Sequence, residues 1–322
     1  MRVYISIILF VLTFPLLGQA QEDLPNLSNY QHNWMIYNPA FTGSRDVMSA
    51  GFYTRALKVK DPGGPFYTQG SFHTPSKNEK VAYGGFLSIQ NSPTIIWPIG
   101  TSTNTHFTDY QFYGSYAYRI PGPRGRLSLG IYGGATITTA TYSDDFLHAN
   151  DPKFPHDDIQ TAVKPNVGAG VLYYTEKLFV GLSIPRLIPS SDSLFNNSDT
   201  TGFVGLLKNY TAVLSGGYEF AVSENLCISP TFIVLYGIED PLNFAGGVNF
   251  GLFDKKIWFG VVYKSANSVA FNANFQLNNK MLMGIAYDYS LNSENTYFKN
   301  AFEFVLRWEL RETVKTNIPF YY

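Results

Sequence analysis

The residues of this chain best equipped for chemistry are five histidines and a run of carboxylates. Residues 144–158 gather Asp144, Asp145, His148, Asp151, His156, Asp157 and Asp158. Oxygen-rich clusters can hold Ca²⁺, and histidine among carboxylates can hold a transition metal. The spacing here fits neither a calcium-binding loop of the EF-hand type nor a zinc pattern, so a solvated loop is the better reading. No metal and no other cofactor is expected. His32, His73 and His106 lie in other segments. The chain has no G-x-S-x-G elbow, no phosphate-binding P-loop, no H-E-x-x-H and no paired cysteines. With no nucleophile–base pair in view, an enzyme is not expected. The lone Cys227 reads as a small strand residue.

The elements that would carry such loops are strands. Val167, Ala169, Val171 and Tyr173 alternate with Gly168, Gly170 and Leu172. After the turn Thr175-Glu176-Lys177, the positions Leu178, Val180, Leu182 and Ile184 resume the pattern. Successive strand side chains point to opposite faces, so this is an antiparallel hairpin with one apolar face. Its other face offers glycine and small polar groups, which cannot fill a soluble core. Later segments repeat the pattern. Phe271, Ala273, Phe275 and Leu277 oppose Asn272, Asn274 and Gln276, while Phe302, Phe304, Leu306 and Trp308 oppose Glu303 and Arg307. Arg119, Glu219 and Lys264 also fall on the less apolar face. An apolar outside around a polar inside is what a lipid-embedded barrel requires.

Composition agrees. Aromatic residues make up 16% of the chain and charged ones only 15%, against a usual charged share of about 25%. A formal net charge of −1 offers no basic face for nucleic acid. Arg2, the apolar run from Val3 to Leu17 and the small-residue ending Gly18-Gln19-Ala20 form a secretory signal over residues 1–20. A soluble β-sandwich would show similar alternation, but with many more Lys and Glu on its wet face.

About fourteen strands are predicted between residues 46 and 310, among them 81–91, 105–121, 178–188 and 208–222. The turns Pro75–Lys80, Pro121–Gly125, Thr175–Lys177, Ser223–Asn225, Asp254–Lys256 and Asn279-Lys280 are compact and polar. The longest connections, Asp144–Val163 and Pro189–Leu207, together with Pro93–Thr103, fall on the opposite side. The fold expected is therefore all-β: a single antiparallel transmembrane β-barrel of the outer membrane, with short periplasmic turns and longer extracellular loops. Both termini then lie in the periplasm, residues 21–45 form an N-terminal segment or plug, and 311–322 form a tail.

Several blocks, in order, resemble a known family. Tyr37-Asn38-Pro39-Ala40-Phe41-Thr42-Gly43-Ser44 is similar to an "NPAYAGS" opening, with Phe41 and Thr42 replacing Tyr and Ala. Ser71-Phe72-His73-Thr74-Pro75, Tyr116-Ala117-Tyr118-Arg119-Ile120, the 164–187 hairpin, Trp258–Lys264 and Ala286-Tyr287-Asp288-Tyr289 follow. The chain thereby resembles the PorP/SprF membrane proteins of the type IX secretion system. The resemblance implies a non-enzymatic outer-membrane component that contacts type IX secretion proteins. It also implies help in exporting or anchoring a secreted adhesin or other cargo. A channel or hydrophobic-solute transporter sharing only the barrel is the alternative.

The segment ahead of the first strand has its own signals. Tyr30, Trp34 and Tyr37 are spaced one helical turn apart, and Pro39 forces Asn38 to be extended, which ends any helix there. Tyr30, Trp34, Tyr37, Asn38, Pro39 and Gly43 are the candidate partner-binding residues, in a docking element at the periplasmic mouth. The competing reading is a lid that fills the lumen and caps polar groups. It is preferred, since buried aromatic anchors more often pack than bind.

Overall fold

The computed structural model describes residues 24–25, 27–57, 64–96, 103–143, 160–188, 210–237, 242–265, 267–291 and 300–310. The secretory signal, the carboxylate-rich stretch 144–158 and the tail 311–322 lie outside them.

Fourteen strands run through the described residues. They are β1 (Met48–Leu57), β2 (Phe66–Pro75), β3 (Val81–Ile96), β4 (Thr103–Pro121), β5 (Arg126–Ser143), β6 (Gln160–Tyr174) and β7 (Leu178–Ile184). Next comes β8 (Thr211–Tyr218, continued by Phe220–Ser223 past a break at Glu219), followed by β9 (Leu226–Gly237) and β10 (Asn243–Leu252). The last four are β11 (Ile257–Lys264), β12 (Ser268–Asn278), β13 (Met281–Ser290) and β14 (Ala301–Leu310). Each strand pairs antiparallel with its sequence neighbours. β14 pairs with β1 from Leu310 opposite Met48 to Ala301 opposite Leu57, which closes the ring. In hydrocarbon an unpaired backbone amide costs several kcal/mol, so a sheet of strands survives there only when it has no edge.

Several strand ends differ from the sequence reading, and β6 begins at Gln160, inside the expected 144–163 connection. β3 and β4 reach into the 93–103 stretch expected as loop, pairing from Pro93 opposite His106 to Ile96 opposite Thr103. β7 stops at Ile184 rather than 188. Pro185 brings no N–H to a ladder, and its carbonyl instead accepts from the Tyr132 hydroxyl at 2.7 Å and Asn166 Nδ2 at 3.0 Å. β8 breaks at Glu219, whose inward carboxylate takes Lys255 Nζ on both oxygens at 2.7 and 2.8 Å.

The two faces sort as their alternation predicts. Phe52, Leu87, Phe112, Ile131, Leu182, Phe271, Ile285 and Phe302 stand exposed on the outer wall. Gln69, Arg119, Asn249, Asn274, Asp288, Glu303 and Arg307 are buried inward. Eight strands enclose only their own side chains and sixteen enclose water; fourteen leave a lumen wide enough to need a filling.

A charge on the outer wall should cost more the deeper it lies. Ile285→Arg, at the middle of β13, should lower folding stability in lipid vesicles by about 2–4 kcal/mol, against about 0–1 kcal/mol for Leu277→Arg beside the β12–β13 turn. Equal losses in a urea titration of the two variants would contradict a lipid-facing wall.

Candidate functional site

The lumen is filled by the chain's own N-terminal segment. Residues 27–47 are buried there almost without interruption. A 3-10 turn at Tyr30–His32, one α-turn at Trp34–Tyr37 and a second 3-10 turn at Pro39–Phe41 fold them compactly. Tyr30, Trp34 and Tyr37 thus do not share one continuous helix; Asn33 separates two short turns. Asn38 is extended as Pro39 demands (φ −146°, ψ 112°), and its Oδ1 caps the next turn by accepting from the Ala40 N–H at 2.9 Å.

Apolar packing centres this plug. Trp34 (1% exposed) stacks on Phe41 (0%), and meets Tyr30 and the inward Phe179 of β7 edge-on, at centroid distances of 5.4, 5.1 and 5.2 Å. Aromatic pairs of this kind contribute about 0.5–1.5 kcal/mol each beyond area burial.

Around that core, the plug's short turns leave backbone carbonyls unbonded, and wall hydroxyls and amides supply partners. Ser183 Oγ donates to the Tyr37 carbonyl at 2.6 Å and Ser128 Oγ to the Ala40 carbonyl at 2.7 Å, while in the opposite direction Asn38 Nδ2 of the plug donates to the wall's Val171 carbonyl at 3.1 Å. Two pairs of primary amides exchange both bonds across the gap: Gln31 with Asn249 at 3.3 and 2.7 Å, and Asn33 with Gln69 at 2.6 and 2.9 Å. The Tyr30 hydroxyl meets Thr231 Oγ1 at 2.8 Å; burial raises its pKa well above the usual phenol value. Close approach also dictates two glycines. At Gly130 a Cβ would sit 2.2 Å from the Ala40 nitrogen; Gly43 has φ +69° and no room, since a Cβ there would lie 2.2 Å from Ala82 Cβ.

Charge fastens the plug at three levels. Deep in the barrel, Glu303 accepts the backbone N–H of Ser28 at 2.7 Å and of Asn29 at 2.8 Å while ion-paired to Arg55. Arg55 and Lys264 both reach Asp288 Oδ2, at 2.9 and 2.7 Å. One level towards the short-turn end, Arg45 and Arg307 share Glu309. Arg307 Nη1 donates to His32 Nδ1 at 3.3 Å, and His32 Nε2 donates to Asn274 Oδ1 at 2.9 Å. Both ring nitrogens are occupied by a neutral imidazole. Burial, reinforced by Arg307, holds the His32 pKa well below its ordinary value. At the short-turn mouth, Arg119 and Arg126 converge on Asp46, and Arg119 Nη1 also donates to the Gly43 carbonyl at 2.8 Å.

All six residues singled out in the sequence therefore belong to the plug, and Tyr30, Trp34, Tyr37, Asn38, Pro39 and Gly43 are all buried in it. The wall residues that hold the plug escaped the sequence reading as a set. Alternation places Arg119, Lys264, Glu303 and Arg307 on the inner face, but nothing in linear spacing reveals that Arg55 meets Asp288 and Glu303.

Glu303→Gln leaves Arg55 and Lys264 undercompensated, which should cost about 3–5 kcal/mol and speed hydrogen exchange at the Ser28 and Asn29 amides; unchanged exchange would show that the carboxylate does not hold them. His32 gives a pH dependence. An unfolded chain takes up a proton near pH 6.5 that the folded ring resists, so stability should fall as pH drops below about 6.5, by up to about 1.4 kcal/mol per unit. His32→Gln should flatten the decline in apparent melting temperature between pH 7.5 and 5.

Comparison with known proteins gives the barrel a context. No curated protein matches the chain. Among solved structures it is similar to the Ralstonia pickettii toluene transporter TbuX, with TM-score 0.54, 12% identity, and coverage of 87% of this chain and 93% of that one. It is also similar to the CymD monoaromatic hydrocarbon channel, with TM-score 0.52, 11% identity, and coverage of 87% and 93%. A deltaS2 mutant of the TodX monoaromatic hydrocarbon channel gives TM-score 0.53, 11% identity, and coverage of 86% and 94%. At these identities the likeness shows the fold alone, that of an outer-membrane barrel. The description "Type IX secretion system membrane protein PorP/SprF" matches residues 19–308, and the chain belongs to that family.

Proposed function

We propose that this protein is a plugged, non-enzymatic scaffold of type IX export. In this reading the barrel anchors secreted cargo, such as an adhesin, at the surface or holds periplasmic parts of the machinery. Its short turns and the two ends of its wall face the periplasm. Family membership supports a type IX role in the outer membrane. The observation that carries the scaffold reading is the lumen itself: Trp34 and Phe41 are almost wholly buried where a pore would run. The buried ion pairs Arg45–Glu309 and Asp46–Arg119 and the reciprocal amides tie the segment to several walls. Such a body offers its rim and loops to partners. Tyr30, Trp34, Tyr37, Asn38, Pro39 and Gly43 would reach a partner only if the segment left the lumen.

A hydrophobic-solute channel is the second reading. It is favoured by the fold shared with a toluene transporter and monoaromatic hydrocarbon channels. Planar-bilayer recording and a pull-down from native outer membranes separate the two. The scaffold predicts no steady conductance from the intact chain and co-purification of type IX proteins with a secreted cargo. Toluene uptake into vesicles with no co-purifying partner would establish the channel instead. Deleting residues 27–44 should open conductance of porin size if the segment is the seal.

A further inference from the structure

The plug has a direction, and its contacts can be ordered by height along the wall. β1 rises from Met48, opposite Leu310 on the short-turn side, to Leu57, opposite Ala301 on the long-loop side. At the foot, Asp46 pairs with Arg126, the first residue of β5, and the Ala40 carbonyl meets Ser128 two residues further up. At mid-height the Tyr30 hydroxyl meets Thr231, in the centre of β9. Higher again, the amides of Ser28 and Asn29 donate to Glu303, the third residue of β14 from its long-loop end. At the top, Leu24, Pro25 and Leu27 line one small hollow with Leu235 and Asn243, which pair with each other beside the β9–β10 connection. That connection is on the long-loop side. The Tyr37 hydroxyl donates to the Pro25 carbonyl and so holds this end of the plug in place. Pro25 and Leu27 are buried there, and Leu24 is half-buried.

Distance then decides where the chain ahead of Leu24 can go. From Leu235 down to Leu226, at the short-turn end of β9, the strand runs about 30 Å, or about 23 Å along the barrel axis at the usual tilt. Once a signal ending at Ala20 is removed, three residues precede Leu24, with a reach of at most about 11 Å. The wall is closed by its ladder and the lumen is filled by residues 27–47, so this stub cannot return to the short-turn mouth.

We infer that residues 24–47 thread the barrel from its cell-surface mouth to its periplasmic one, and that the amino end of the plug is presented outside, beside the long loops. Strand count alone leaves both termini in the periplasm; the end of β14 keeps that place and the amino terminus does not. This tip is a part of the plug that an extracellular partner can meet without displacing it. The inference rests on the orientation proposed above, with the short turns inside, but on neither the scaffold nor the channel reading.

Cysteine labelling on whole cells tests it. In a Cys227→Ser background, Leu24→Cys should react with a membrane-impermeant polyethylene-glycol maleimide to the same extent before and after the outer membrane is permeabilised. Lys280→Cys, on the β12–β13 turn, should react only afterwards. Reaction of Leu24→Cys only after permeabilisation, with Lys280→Cys behaving as expected, overturns the inference and leaves the orientation standing. Reaction of Lys280→Cys in intact cells shows an inverted barrel, which sinks the orientation and the inference with it. Should Leu24→Cys react in neither state, a protease-site tag inserted directly before Leu24 decides. Cleavage by protease added to intact cells is expected; a tag cut only in permeabilised cells, or never cut, overturns the inference.

Discussion

Hydrocarbon offers no hydrogen bonds, so every peptide group inside it must find a partner within the protein. The rest of this structure depends on that constraint. The wall meets it by closing, strand against strand, until β14 returns to β1. The closed wall then encloses a space too wide for its own side chains, and the same requirement recurs inside. A segment packed there as three short turns leaves many backbone groups unbonded. The inner wall answers with serine, asparagine and glutamine placed opposite carbonyls and amides of the plug. The modest hydropathy of the chain and its scarcity of surface charge follow from this division.

The interior is also where the ionic groups go. On the lipid side each Lys or Arg would cost a few kcal/mol; inside, they are arranged with opposite partners and with backbone donors. Arg55, Lys264, Asp288 and Glu303 form one such arrangement, and the amides of Ser28 and Asn29 complete it. Removing the plug would leave Glu303 short of two donors, so filling and wall are energetically one unit. That coupling favours a stable seal over a passive obstruction.

The fold was legible because alternation is a local signal. A period of two, read strand by strand, named the lipid face, the inner face and most turns; Phe271 and Asn272 point where their neighbours in sequence said they would. Strand ends were less legible where they depend on distant contacts. Pro185 ends β7 because Tyr132 and Asn166 capture its carbonyl, and Glu219 interrupts β8 because Lys255 lies near. The plug was half legible. Its aromatic spacing and the Asn38-Pro39 stop were visible. Its anchors were not, since Glu303 lies more than 270 positions from Ser28 along the chain.

That separation bears on how the molecule is made. Arg55 belongs to the first strand, Lys264, Asp288 and Glu303 to the final four, so this electrostatic knot straddles the seam that shuts the cylinder. Before the seam zips, Arg55 stands on an open sheet in the bilayer without Asp288 and Glu303. A half-made cylinder is therefore a high-energy species, and its rim-to-rim joining is close to all-or-none. Residues 27–47 precede the first strand and finish enclosed by every later one, so they must be gathered into the nascent bowl before it shuts. Whatever inserts this chain must deliver its stopper together with its staves.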